Sequence, residues 1–181
     1  MNNSEAYAKY QILPSLAYKI IDHLITNPNA EIIWRLLKYN TVDAYKQPNL
    51  SISEKRGLIY KGGGHQEDCS VFIDFSFDDA TNEAKTFLRI YPATIFPTNR
   101  TIGICGINFE ILSHTKINHL ANYTTRVDTI MQAIISVLNG ADIGGIGVMY
   151  FDRQRSSFDK SQLIGKNPYK GKLLTMSVNI G

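Results

Sequence analysis

Residues 118–152 read NHLANYTTRVDTIMQAIISVLNGADIGGIGVMYFD, and the parsing of this stretch decides the fold. Between Thr124 and Leu138 the apolar residues are Val127, Ile130, Met131, Ile134, Ile135 and Leu138. Their steps follow the helical period and gather on one face. Arg126, Asp128 and Gln132 fall mostly on the other face. Thr124 or Thr125 serves as N-cap, with Asp128 placing an acid in the first turn. Asn139-Gly140 ends the helix, because glycine reaches the left-handed conformation without a Cβ clash. Gly144, Gly145 and Gly147 then lead into a strand. Ile146, Val148 and Tyr150 lie on one side of it and Met149 and Phe151 on the other, so it is expected to be covered on both faces or to sit at a subunit boundary.

The glycines do not make a phosphate loop. They follow a helix and precede a strand, the reverse of a nucleotide-binding turn, and they lack both the Lys-Ser/Thr ending and the G-x-G-x-x-G spacing. A tight turn with close packing is the expectation. Downstream, Arg153 to Lys170 (RQRSSFDKSQLIGKNPYK) reads as one long basic loop. Between Arg153 and Lys172 six bases, Arg153, Arg155, Lys160, Lys166, Lys170 and Lys172, stand against one acid, Asp159, so the segment carries +5 in a chain of formal net charge +3. From Gly171 to Ile180, Leu173, Thr175, Ser177 and Asn179 alternate with Leu174, Met176, Val178 and Ile180. That is a strand pattern, and it is expected to pair beside Gly147–Phe151 as a hairpin with an extended loop.

Upstream, the first sixty residues predict three short helices. Ile12, Leu13, Leu16, Ile20, Ile21, Leu24 and Ile25 form a broad stripe, with the helix starting near Pro14 because proline breaks a helix interior. Asn27-Pro28 is a start signal for a second helix ending near Asn40, with Trp34 off its apolar stripe and read as packing. Ser51-Ile-Ser-Glu54 is a capping box opening the third, through Tyr60. Lys61 to Asp68 is a glycine-rich polar loop. Val71 to Asp78 and Thr86 to Ile95 alternate as strands, with Pro92 predicting an edge or bulge in the second. A turn at Pro97–Arg100 and a returning strand from Thr101 to Leu112 complete a hairpin.

The 181 residues, 44% hydrophobic, suit one domain, 1–181, comprising a helical part (1–60) and a sheet-helix-hairpin core (69–181). No apolar run is long enough to span a bilayer, and the polar start MNNSEAYAKY shows no secretory signal. Cys69 and Cys105 read as buried reduced thiols, which suits a cytoplasmic origin. His65 with Cys69 is too few ligands for a metal site, and Ser113-His114 lacks the orienting acid of a triad. His114 and His119 have no third ligand near them. Asp74, Asp78 and Asp79 read as a solvated strand face and turn. The expectation is therefore no catalytic residue, no metal and no cofactor. The fold class is α+β: an antiparallel or mixed sheet of about five strands flanked by helices.

In layout the chain resembles the tail-terminator and neck (head–tail joining) proteins of tailed phages. The residues that carry the likeness are HLANYTTRVDTIMQAIISVLNG (119–140), IGGIGVMYFD (143–152) and YKGKLLTMSV (169–178). The likeness covers residues 70–181 and does not extend to the helical N-terminal third. It implies a non-enzymatic virion protein, assembled in the host cytoplasm, whose homohexameric ring caps the tail tube and docks to the head connector. On that reading Arg153, Arg155, Lys160, Lys166 and Lys170, with Gly144, Gly145 and Gly147, are subunit-interface or lumen positions, and the basic loop meets passing DNA or a neighbouring protein. Two other readings compete. One is a nucleic-acid-binding module using residues 153–172, poorly supplied with aromatics for stacking. The other is a small hydrolase using Asp74, His65 or His114.

Overall fold

The computed structural model describes residues 10–63, 66–74, 83–99, 102–153, 156, 157 and 159–180. A 3-10 turn at Tyr10–Ser15, holding Pro14, leads into α1 (Leu16–Thr26). Asn27 caps a second short turn, Pro28–Ala30, its side chain accepting from Asn29 N at 2.9 Å, and α2 (Glu31–Lys38) follows. The helix α3 (Ile52–Gly57) carries the expected capping box, Ser51 with Glu54, and ends before Tyr60. Trp34 is fully buried and donates from Nε1 to Leu24 O at 2.9 Å, which fixes α2 against α1.

Seven strands form the sheet: β1 (Val71–Phe72), β2 (Thr86–Pro97), β3 (Gly103–His114), β4 (Asp142–Ile143), β5 (Gly147–Tyr150), β6 (Lys160–Ile164) and β7 (Tyr169–Ile180). The order is β1-β2-β3-β7-β5-β4, with β6 also paired to β7. Among the described residues the β1–β2 pair alone is a parallel strand pair, so the sheet is mixed. The strand expected through Asp78 is strand at Val71–Phe72 only, and residues 75–82 lie outside the description. The irregularity expected at Pro92 is there: the β2–β3 register shifts between Pro92 and Ile95, because proline offers no N–H to the ladder.

The helix α4 (Arg126–Leu138) starts at Thr125, whose Oγ1 accepts from Asp128 N at 3.1 Å. It lays Val127, Ile130, Ile134 and Leu138 against the sheet. With α1 and α2 it covers one face, where Leu88, Ile90, Cys105, Ile107, Phe109, Ile111, Leu174, Met176, Val178 and Ile180 complete the main core. The opposite face carries a smaller cluster of Cys69, Phe72 and Phe87, with Tyr60, Leu112 and Tyr169 against it. Both cysteines are buried and free, and burial pushes the Cys105 thiol up to about 11, which makes it an inert core residue.

Arg126 departs from the sequence reading. The helical period puts it off the apolar face, yet it is fully buried. Its guanidinium donates to four backbone carbonyls: Ile117 O at 2.7 Å, Leu36 O at 2.9 Å, Tyr39 O at 2.7 Å and Thr41 O at 2.5 Å. Two of these are orphan acceptors at the C-terminus of α2, where the helix dipole favours a cation. Burial lowers its pKa to about 10, leaving it charged at neutral pH. The reason for the reversal is local: α4 begins where α2 ends, and periodicity does not see a neighbour's unsatisfied carbonyls.

Candidate functional site at the C-terminal hairpin

The segment expected as one structureless loop, 153–170, contains a strand. Lys160 to Ile164 pairs with Thr175 to Gly171, while Met149 and Tyr150 pair with Val178 and Ser177 further along the same side of β7. Strands β5 and β6 therefore run along one line, antiparallel to β7. Between Tyr150 and Lys160 the chain leaves β7, opposite the single residue Met176. The extended connection of the hairpin is this excursion, and a short turn at residues 165–168 joins β6 to β7.

Asp159 ties the excursion down. Its Oδ2 accepts from Asp152 N at 2.7 Å and from Ser177 Oγ at 3.1 Å, which fastens both ends of the loop to β7. Asp159 is buried, and its Oδ1 has no hydrogen-bond partner among the described residues. Burial raises its carboxyl pKa, with the nearby Asp152 pushing the same way, while the two hydrogen bonds act against them. The only acid of the basic segment is thus its structural clasp.

The bases divide in two. Lys172 Nζ is 2.6 Å from Asp128 Oδ1, linking β7 to the first turn of α4. That contact and the Thr125 hydroxyl hold the Asp128 carboxyl below its ordinary range. Arg153, Lys160, Lys166 and Lys170 are exposed, and none makes an ion pair among the described residues. Arg155 lies outside the described residues. Beside them Leu163 is 83% exposed, a large apolar side chain left in water. A cleft of about 410 Å³ opens next to it, between β6–β7 and the start of α4, with Val127, Asp128, Ile164 and Lys172 in its walls.

Of the three glycines expected at an interface, Gly144 and Gly145 sit in the turn between β4 and β5, and Gly147 starts β5. The β5 strand buries only Met149 fully, so cover on both faces is not what the structure shows. Gly147 has φ +100°, and a Cβ there would lie 2.8 Å from Asn179 O. Lys19 Nζ comes within 2.9 Å of where a Gly145 Cβ would sit. Close packing against backbone within the chain therefore holds at Gly147, while a Cβ at Gly144 would meet nothing within 4 Å.

The other candidates are dispersed. His114 is buried, its ring edge-on to Tyr169 and its Nδ1 accepting from Lys116 N, and Ser113 Oγ is 3.2 Å from Thr86 Oγ1. They do not face one another as nucleophile and base. Asp74 and His119 are exposed; His65, Asp78 and Asp79 lie outside the described residues. Among the described residues no three His, Cys, Asp or Glu side chains gather as a metal site. No described helix is long and apolar enough to cross a membrane. On the helix-free sheet face, Arg89 and Tyr91 both donate to Glu110, and Thr175 Oγ1 to Asn108 Oδ1, a polar ladder across β2, β3 and β7.

A family model, YomW, matches residues 29–178, which runs from the turn before α2 through β7 to two residues short of its end. The chain belongs to the YomW family. That is a family of the SPβ-like region of Bacillus phage, so the protein is phage-associated. No curated protein matches it.

Proposed function

We propose that this YomW-family protein is a structural virion component of the phage neck, without catalysis. It forms a ring, a homohexamer, that terminates the tail tube and joins it to the head connector. The observation that carries the reading is the β6 edge: the exposed Leu163 and Lys160 on a strand that pairs, among the described residues, with β7 alone, beside a cleft and the exposed Lys166 and Lys170. Such an edge is a template for another chain. Of the groups a hydrolase reading names, Asp74 is exposed and His114 is buried against Tyr169, so these two are not gathered at one site. Phage association of the family agrees with this reading. Light scattering after size exclusion tests it, with and without tail-tube protein. Ring formation is the expected result, and a monomer that ignores tube protein overturns it.

A second reading, contact with nucleic acid, rests on Arg153, Lys160, Lys166 and Lys170 as exposed cations free to meet phosphate. It suits a ring through which DNA passes. Binding of DNA at low salt should weaken in Arg153→Ala with Arg155→Ala. Unchanged affinity would remove this reading and leave the ring intact.

A further inference from the structure

The chain segregates its charge along the sequence, and among the described residues Glu67, Asp68 and Asp74 lie toward the β1 side of the sheet and Lys160, Lys166 and Lys170 toward the β6 side, while Glu83 pairs with Lys85 and its carbonyl accepts from Tyr169. Residues 66–83 hold six acids, Glu67, Asp68, Asp74, Asp78, Asp79 and Glu83, and no base. Residues 153–172 hold six bases and one acid, and that acid is buried as the clasp. A continuous cross-strand row runs Val71–Leu88–Ile111–Lys172–Leu163 through β1, β2, β3, β7 and β6. Its ends are about 19 Å apart, four strand spacings. Glu67, Asp68 and Asp74 flank the β1 end and are exposed, whereas Lys160, Lys166 and Lys170 surround the β6 end.

We infer that the β6 edge docks a second copy of this chain, which presents its acidic β1 side, so that subunits meet head to tail. This rests on the ring reading above and names the contact that would build the ring. Charge complementarity selects the occupant. Two β6 edges cannot pair with each other without setting Lys160 and its neighbours against like charge, and lysine on an open edge is a known block to such pairing. The acidic side of another copy meets the same lysines favourably and covers Leu163. Because the two surfaces differ, the contact is heterologous, and repeated rotation closes a ring. The β1 side needs no open backbone for this: its outer edge is already bridged by Ile59, with Tyr60 N donating to Val71 O, so side-chain charge makes the contact there.

Two charge-reversed proteins test the inference: Lys160→Glu/Lys166→Glu/Lys170→Glu, and Asp68→Lys/Asp74→Lys. All five positions are exposed, so the subunit fold should persist. Each variant alone should associate at least about a hundredfold more weakly than the natural chain, given the cost of like charges across an interface. Mixing the two should restore assembly, which also shows that both are folded. High salt should weaken the natural assembly. If the natural chain assembles and both variants assemble equally well, this contact is wrong and the ring reading stands. If the natural chain never assembles, even with tail-tube protein, both fall. Assembly by Leu163→Asp at undiminished strength would also overturn the contact.

Discussion

Arg126 is the side chain on which the placement of the helices depends most directly. One guanidinium satisfies carbonyls from the end of α2, the residues beyond it and the segment before α4. Removing it leaves buried acceptors without donors. Arg126→Leu should therefore cost about 3 kcal/mol or more, read by chemical denaturation. Arg126→Lys should recover little, since an ammonium cannot reproduce the planar fork. Asp159 makes a sharper prediction. Its raised pKa means that the folded state favours the neutral carboxyl, so stability falls as pH rises from the ordinary carboxylate value through the folded one. Asp159→Asn keeps an acceptor for Asp152 N and loses that penalty. It should be at least as stable as the natural chain at pH 7 in thermal melts and should lack that fall, whereas Asp159→Ala should be less stable. Neither role was legible in the sequence. Helical periodicity put Arg126 off the apolar face, and no local pattern marks Asp159 as a clasp, because a buried polar group is explained by partners distant in the chain.

Elements were more legible than residues. The Ser51–Glu54 capping box, the Thr125 cap and the alternation of β7 are local signals, and the structure uses each of them. The bulge after Pro92 follows from a missing N–H. The strand β6 escaped because KSQLI has no apolar alternation, and four of its five residues are exposed. An edge strand is held by backbone bonds to β7, which leave no mark on side-chain pattern. Gly171 tests how tightly that pairing is set. A Cβ at this position would lie 1.8 Å from Ile111 O, where β7 crosses β3. Gly171→Ala should therefore cost at least about 2 kcal/mol, measured by denaturant unfolding, because the strands must part. Loss of the ordered β6 edge with it would show as faster amide exchange at residues 160–164.

At the scale of the molecule the fold class was readable, α+β with an antiparallel or mixed sheet, because helical and strand periods separate cleanly along the chain, although the sheet has seven strands where about five were expected. Strand order was not, since pairing between β3 and β7 joins residues more than fifty positions apart. The charge bias of residues 153–172 was visible, but its meaning changes once β6 lies within it: Lys160 stands on a strand edge, and Lys170 and Lys172 on β7 line the cleft beside it. What remains for the ring reading is mass in solution. Light scattering after size exclusion, at several concentrations and salt levels and with tail-tube protein added, decides it. A hexamer, or a monomer converted to a ring by tube protein, is the predicted result. A chain that stays monomeric under all these conditions contradicts the neck-ring function.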